Sequence, residues 1–537
     1  MTLNRDLVLA PATQARTDLQ VPSRALLDLP ERIVQFGTGG FLRGFADDFI
    51  DKANRAKANR AGAGIGRAVV VSQTGSGRAA AFNEQDGLYT LLVRGIDQGQ
   101  PVEATRVIGA VSRAVSARDD WNAVLDLARR PEVSLVVSNT TEVGIRWDEA
   151  DDVHAAPPSS FPAKLTAFLF ARAETFKYTD DGGLVVLPCE LIEQNGDTLR
   201  TLVHRWAERG GLGDDFMRWV ERTCVFPNTL VDRIVPGSPD PAEAAAIREQ
   251  LGYDDALLTT CEVYRLFAIQ APDGDTEALC SRLGFADADP GVVVTDDVEP
   301  YRLRKVRLLN GTHTLMVPVA LGCGLATVEE AVTDARVGAF VQQVMIEELA
   351  VATESELAEV GEQPGTAEPF ARAVLDRFRN PYIRHEMVQI TLQQTMKLGV
   401  RVAPAVERYH AATGRPPEGI ALGVAAMLLL HRAAAGLDGQ HFPGLDVTQL
   451  LRDDRADTIR AAWARTDARD PNALEALTET LLADARLWDM DLTRVPGFAD
   501  AVARHLVHAH AEGLPAAVDA LLAGVVGQGS PVEARRS

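Results

Sequence analysis

A strand that runs straight into a glycine turn and out into a helix restricts a chain to few folds. This sequence has such a unit at residues 32–50. Arg32-Ile-Val-Gln-Phe36 is a short apolar run, Gly37-Thr-Gly39 follows without a spacer, and Phe41, Phe45, Phe49 and Ile50 then recur at helical spacing. A second apolar run, Arg67-Ala-Val-Val-Val-Ser72, begins about 30 residues after the first, the length of one strand–helix–strand unit. Val133–Ser138 and Gly183–Leu187 continue the series, with a helical stretch at Trp121–Leu127 before the first of these. Strands alternating with helices predict an α/β fold with a parallel sheet covered on both faces.

The chain has 537 residues, too many for one core. Val292–Thr295 reads as the last strand, and Glu299-Pro300 as the start of a helix with proline near its first turn. Beyond it alanine, leucine, arginine and glutamate dominate with helical periodicity. The expected organisation is a domain over 1–298 and a mainly helical domain over 299–537, with 527–537 a disordered tail.

A net charge of −21 argues against nucleic acid and anionic membrane as partners. Five scattered cysteines suggest neither a disulfide framework nor a metal knuckle, which fits a reducing cytoplasm. Met1–Gln20 is polar and does not read as a signal peptide. The apolar stretch Ala421–Ala435 is interrupted by His431 and Arg432 and reads as a buried helix rather than a membrane span. His431 is expected to be a core histidine bonded to backbone.

Gly37-x-Gly39 between strand and helix matches the start of a dinucleotide-binding fingerprint. The glycines allow backbone to approach a pyrophosphate, and the helix start offers amide donors. Leu42 stands where the third glycine of the pattern is usual, and Arg43 is placed to add charge to the phosphate. After the second strand, Gln73 replaces the acidic residue that usually meets the adenosine ribose, while Arg78 suits the extra phosphate of NADP. NAD is favoured and NADP left open.

Arg302-Leu-Arg-Lys305-Val-Arg-Leu-Leu-Asn310-Gly-Thr-His313 carries the chemistry. The chain has six lysines against 48 arginines, yet Lys305 sits among Arg302, Arg304 and Arg307. Arginine does not deprotonate near neutral pH; lysine does when burial and positive neighbours lower its pKa, which suits a general base. On an α-helix Asn310 and His313 lie about 140° and 80° from Lys305, so all three share a polar face. The competing reading is a surface helix that binds an anion. No His, Cys or Glu set has metal-ligand spacing.

With these pieces in view, the sequence resembles the mannitol dehydrogenase family, the polyol-specific long-chain dehydrogenases. The resemblance rests on Gln35–Arg43, Gln85–Thr90, Ser138–Gly144, Pro188–Gly196, Phe226–Arg233, Lys305–His313 and Arg377–Glu386, in family order. It implies a Rossmann-like N-terminal domain, a mainly helical C-terminal domain, and metal-free hydride transfer between a nicotinamide cofactor and a ketose or keto-uronate. By resemblance Lys305 is the acid and base, Asn310 polarises the reacting oxygen, and His313 hydrogen-bonds it or a neighbouring hydroxyl. Asp232 and Arg377 are implied substrate contacts. Phe41, Leu42 and Asn139 join Gly37, Gly39, Arg43 and Gln73 as expected cofactor contacts.

Other positions keep two readings. Glu142 either touches the nicotinamide ribose or joins a helix cap. His385, beside Arg384, meets a substrate carboxylate or caps a surface turn. Lys397 either supplies charge to the pocket or is solvated. In the mannitol branch an asparagine stands where this chain has Leu191, which weakens mannitol as the substrate more than it weakens the chemistry. Arginines at 302, 304, 377 and 384 suit a carboxylate. The favoured small-molecule substrate is therefore a keto-uronate such as tagaturonate, reduced to its aldonate. Fructuronate, or a neutral ketose and polyol, is the alternative, and a nucleotide-sensing protein the non-enzymatic one.

Overall fold

The computed structural model describes every residue except 59–63, 74, 141–143, 438–440, 447–449, 451 and 527–537. The tail expected over 527–537 lies outside the described residues. The chain forms two compact units: the first holds Met1–Gly95 and Pro101–Val298, and the second begins at Glu299 and takes in Ile96–Gln100.

Among the described residues eleven strands form, all in the first unit apart from the β3–β4 tip at 96–100: β1 (Glu31–Phe36), β2 (Arg67–Ser72), β3 (Tyr89–Asp97), β4 (Gln100–Ile108), β5 (Val111–Ser116), β6 (Leu135–Ser138), β7 (Val185–Pro188), β8 (Thr229–Asp232), β9 (Thr259–Cys261), β10 (Leu266–Gln270) and β11 (Val292–Thr295). Five make a parallel sheet in the order β5-β2-β1-β6-β7. The chain builds outward from β1 to one side through β2 and β5, then returns to place β6 on the other. That reversal is the topological switch point of a doubly wound sheet.

Helices and loops cover both faces, so successive side chains on each strand enter two different cores. Ile33, Val70, Val137 and Leu187 belong to one, and Val34, Phe36, Val69, Val71, Val136 and Val186 to the other. This double burial is why β1, β2, β6 and β7 read as continuous apolar runs. β5 departs from that pattern: Ser112 and Arg113 are only half-buried, whereas β7, the other edge strand, is buried throughout. Two three-stranded sheets, β11-β10-β8 and β4-β3-β9, complete the unit; of their strands only β11 was expected.

The second unit is helical. Its centre is the helix Glu418–Ala434, buried along almost its whole length, which accounts for the apolar stretch noted above. Thr312–Gly322 and Phe498–Glu512 pack against it. Among the described residues no helix is long and apolar enough to cross a membrane. His431 is buried as expected, but its partner is a side chain: Nε2 lies 3.2 Å from Thr395 Oγ1, which donates to Asp453 at 2.7 Å.

Candidate active site

The parallel register brings the carboxyl ends of β1, β2, β6 and β7 to one edge of the sheet, with Gly37, Gln73, Asn139 and Glu190 just beyond them. Gly37 has φ +138°, and a Cβ there would stand 2.8 Å from the Asn139 carbonyl oxygen and 3.1 Å from Leu42 Cδ1. Torsion and space both demand glycine. Gly39 is different: nothing lies within 4 Å of its would-be Cβ. A side chain there would fill open space in front of the turn, the cradle a pyrophosphate needs, so the turn fits a dinucleotide.

The other residues expected around this turn serve it in different ways. Leu42 is 1% exposed and packs in the core, so it is a wall of the turn rather than part of its open face. Phe41 stacks on Phe45 with centroids 4.9 Å apart. Arg43, expected to face a phosphate, is buried: Nη1 donates to the Thr38 carbonyl at 2.7 Å and Nε to Thr259 Oγ1 at 2.9 Å. Its guanidinium ties the turn to β9. Asn139 bridges strand ends, its backbone N–H donating to Phe36 O at 3.1 Å and its side chain to Cys189 O at 2.7 Å. Gln73 is half-buried after β2. Asp232 is buried at the end of β8. Glu142 lies outside the described residues.

Sequence reasoning missed Glu190. Its carboxylate accepts from Ser138 Oγ at 3.0 Å and from Thr140 N and Oγ1 at 2.9 Å each, and burial raises its pKa. It fastens the loop after β6 to the end of β7. The available signal was an acidic residue ending the apolar run Leu184–Cys189.

In the second unit the lysine segment is a continuous helix whose middle departs from α geometry. Glu299–Arg304 is α, Lys305–Gly311 is π, and Thr312–Gly322 is α again. This corrects the expected wheel. A π turn bonds residue i to i+5, so Asn310 stands one turn from Lys305 instead of about 140° around the helix. The arginines flanking Lys305 also differ from expectation, because each meets a carboxylate: Arg302 pairs with Glu299, Arg304 with Glu362 at 3.6 Å, and Arg307 with Glu356 at 2.8 Å. Their positive charge is matched locally. Arg384 is exposed and bound to Glu386.

His313 is buried, and its Nε2 has no hydrogen-bond partner among the described residues. The ring stacks on Phe378 at 4.3 Å and meets the edge of His385 at 5.2 Å. Burial first, then the proximity of His385, Arg401, Arg377 and Lys397, holds its pKa far below the usual histidine range. At neutral pH it is an uncharged imidazole. Arg377 is buried in the last turn of Ala367–Phe378, and His385 is half-buried with its pKa lowered by burial. Lys397 Nζ donates to Ile390 O at 3.0 Å, and burial with Arg401 nearby lowers its pKa to about 8. Arg401, which sequence reasoning did not single out, donates through Nη1 to Thr314 Oγ1 at 3.3 Å and to Asn310 O at 3.5 Å. The structure thus gathers His313, His385, Arg377 and Lys397 and adds Arg401.

Two family models match in series: the mannitol dehydrogenase Rossmann domain over 31–279 and the mannitol dehydrogenase C-terminal domain over 297–509. An altronate oxidoreductase of Yersinia enterocolitica is 39% identical over 495 residues, covering 91% of this chain and 97% of that protein. An altronate oxidoreductase of Klebsiella pneumoniae is 38% identical over 493 residues, covering 92% and 97%. Among solved structures, the Pseudomonas fluorescens mannitol 2-dehydrogenase ternary complex with NAD and D-mannitol aligns with a TM-score of 0.63 and 23% identity over 97% of this chain and 99% of that one. A substrate-free D-sorbitol dehydrogenase aligns with a TM-score of 0.74 and 21% identity over 96% and 100%. These two show the shared fold. The chain is an oxidoreductase of the dehydrogenase class. It belongs to the mannitol dehydrogenase family.

Proposed function

We propose that this enzyme transfers a hydride between NAD(H) and a keto-uronate/aldonate pair, the reaction of a tagaturonate reductase (altronate oxidoreductase), with Lys305 as a metal-independent acid and base. The observation that carries the reading is the surround of His313. Lys397 and Arg401 stand beside a buried neutral imidazole, and neither makes an ion pair among the described residues, in a chain of net charge −21. Asp453 lies near enough to Lys397 to offset part of this charge, and an acidic protein that keeps the remaining positive charge around a buried polar atom favours an anion there. The names of the curated relatives support the same substrate class.

When bound, the nicotinamide supplies the hydride for reduction or accepts it in oxidation. Gly37 and Gly39 let the turn approach the pyrophosphate, and Gln73 serves the adenosine ribose. In reduction the Lys305 ammonium gives its proton to the ketone oxygen as the carbon gains hydride, which leaves a secondary alcohol and a neutral amine. Oxidation reverses this. The Asn310 amide donates to the same oxygen, and His313 Nε2 bonds that oxygen or an adjacent hydroxyl. Asp232 and Arg377 hold substrate hydroxyls, while His385, Lys397 and Arg401 face the carboxylate. Fixed donors at a developing oxyanion are usually the largest catalytic contribution.

The test is consumption of NADH, with NADPH in parallel, against tagaturonate, fructuronate and fructose. The expected result is highest kcat/KM with NADH and tagaturonate. Preference for fructuronate or fructose would reassign the enzyme to fructuronate reductase or mannitol 2-dehydrogenase chemistry. NADH binding without turnover of any keto-sugar would leave a nucleotide-sensing protein.

A further inference from the structure

A π turn is less well packed than the α-helix on either side of it, and such turns concentrate at functional sites because something outside the helix holds them. Here the outside support is visible. Arg307, in the middle of the π segment, is buried and makes a two-pronged pair with Glu356, Nε to Oε2 and Nη2 to Oε1 at 2.8 Å each. Its remaining nitrogen, Nη1, donates to the carbonyls of Val400 and Arg401, the latter at 3.2 Å. The tie is returned: Arg401 donates to the Asn310 carbonyl at 3.5 Å and to Thr314 Oγ1 at 3.3 Å, and Thr314 Oγ1 itself donates to Asn310 O at 2.9 Å. The helix Gln394–Arg401 that carries Lys397 is thereby cross-linked at its carboxyl end to the segment that carries Lys305 and Asn310.

We propose that Arg307, seated on Glu356, is a positioning residue that holds the 305–311 segment in its π register and locks it to the end of Gln394–Arg401, so that Asn310 and Lys397 keep one fixed geometry. The inference rests on the roles given above to Lys305, Asn310 and Lys397. Arg307 itself faces Glu356 and backbone carbonyls, and acts through these neighbours. A planar fork is required: lysine carries the same charge but makes no two-pronged pair and reaches no second carbonyl with a fixed geometry. If the register relaxes toward α, Asn310 rotates away from its place above Lys305, and a misplacement of about 1 Å in such a group costs about 100-fold in rate.

The experiment compares Arg307→Lys and Glu356→Gln with the wild-type enzyme by two readouts. Hydrogen–deuterium exchange without ligands reports the register, and steady-state kinetics with NADH and tagaturonate or fructose reports the geometry. The expected result for each variant is faster exchange confined to peptides covering 305–314 and 394–401. With it should come a fall in kcat of about 10- to 100-fold, unchanged NADH affinity, and a smaller preference for tagaturonate over fructose. Unchanged exchange in those peptides would overturn the proposal. So would faster exchange with kcat and preference intact, because the register would then be irrelevant to chemistry. Should Arg307→Lys fail to fold, Glu356→Gln, which keeps the shape of its side chain, answers the same question. A wild-type enzyme inactive on every keto-sugar would refute the functional reading alone, since exchange would still decide whether Arg307 holds the π turn.

Discussion

The imidazole of His313 lies flat against the ring of Phe378, with centroids 4.3 Å apart and planes 17° from parallel. Phe378 is thus a floor on which a buried, uncharged histidine rests with Nε2 unbonded among the described residues. Phe378→Ala should lower stability by about 3–5 kcal/mol through lost burial and a cavity. Phe378→Leu should cost far less stability yet still reduce kcat, because an aliphatic side chain fills space without orienting the imidazole. Urea unfolding and steady-state kinetics on the pair separate the two effects; a Leu variant with wild-type kcat would make Phe378 a filler only.

Lys305→Ala should reduce turnover by about 10²–10⁴-fold, the usual range for a lost proton donor. NADH affinity should change little. Fluorescence titration of NADH beside single-turnover kinetics measures both, and equal loss of affinity and rate would remove the assigned role.

The two glycines of the turn should fail differently. Gly37→Ala places a Cβ 2.8 Å from a backbone oxygen at φ +138°, so it should destabilise the first unit by about 1–3 kcal/mol, seen as a lower urea midpoint. The Cβ of Gly39→Val meets no protein atom within 4 Å, so the fold should be little affected while the Kd for NADH rises by about tenfold or more. A Gly39→Val protein with normal NADH affinity would put the cofactor elsewhere.

Lys397 should give the enzyme a pH-dependent taste for acids. Its pKa is lowered to about 8, chiefly by burial and then by Arg401. Below about pH 8 the ammonium is charged and attracts a carboxylate; above it the amine is neutral and the attraction is lost. The ratio of kcat/KM for tagaturonate to that for fructose should therefore fall as pH rises through about 8, since steps common to both substrates cancel. Lys397→Met should flatten that ratio at its high-pH value. A ratio independent of pH from 6 to 10 would show that Lys397 does not face the substrate carboxylate.

Much of this was readable from residue order because it is local. Apolar runs 32–36 and 67–72 became β1 and β2, since strands buried on both faces need no polar alternation. Hydrophobic spacing after Gly39 marked the helix Ala46–Ala58, and Pro300 marked the helical start of the second unit. The strands β3, β4, β8, β9 and β10 were less legible. β3, for one, carries Thr90 and Arg94, whose partners Tyr253 and Glu243 lie far along the chain, while β8 and β9 are only four and three residues long.

What residue order alone determined was the chemical inventory and its spacing: the glycine turn, the lysine–asparagine–histidine segment, and the lone basic choice of lysine at 305. Tertiary structure decided how those groups are presented. An α and a π turn use the same residues, so the register of 305–311 was settled by Arg307 meeting Glu356 and by carbonyls some 90 positions downstream. Arg43 was turned inward by Thr259, and His313 kept neutral by burial and by charges from three later segments. Each outcome depends on desolvation and distance between residues remote in sequence, quantities that exist only once the chain has packed.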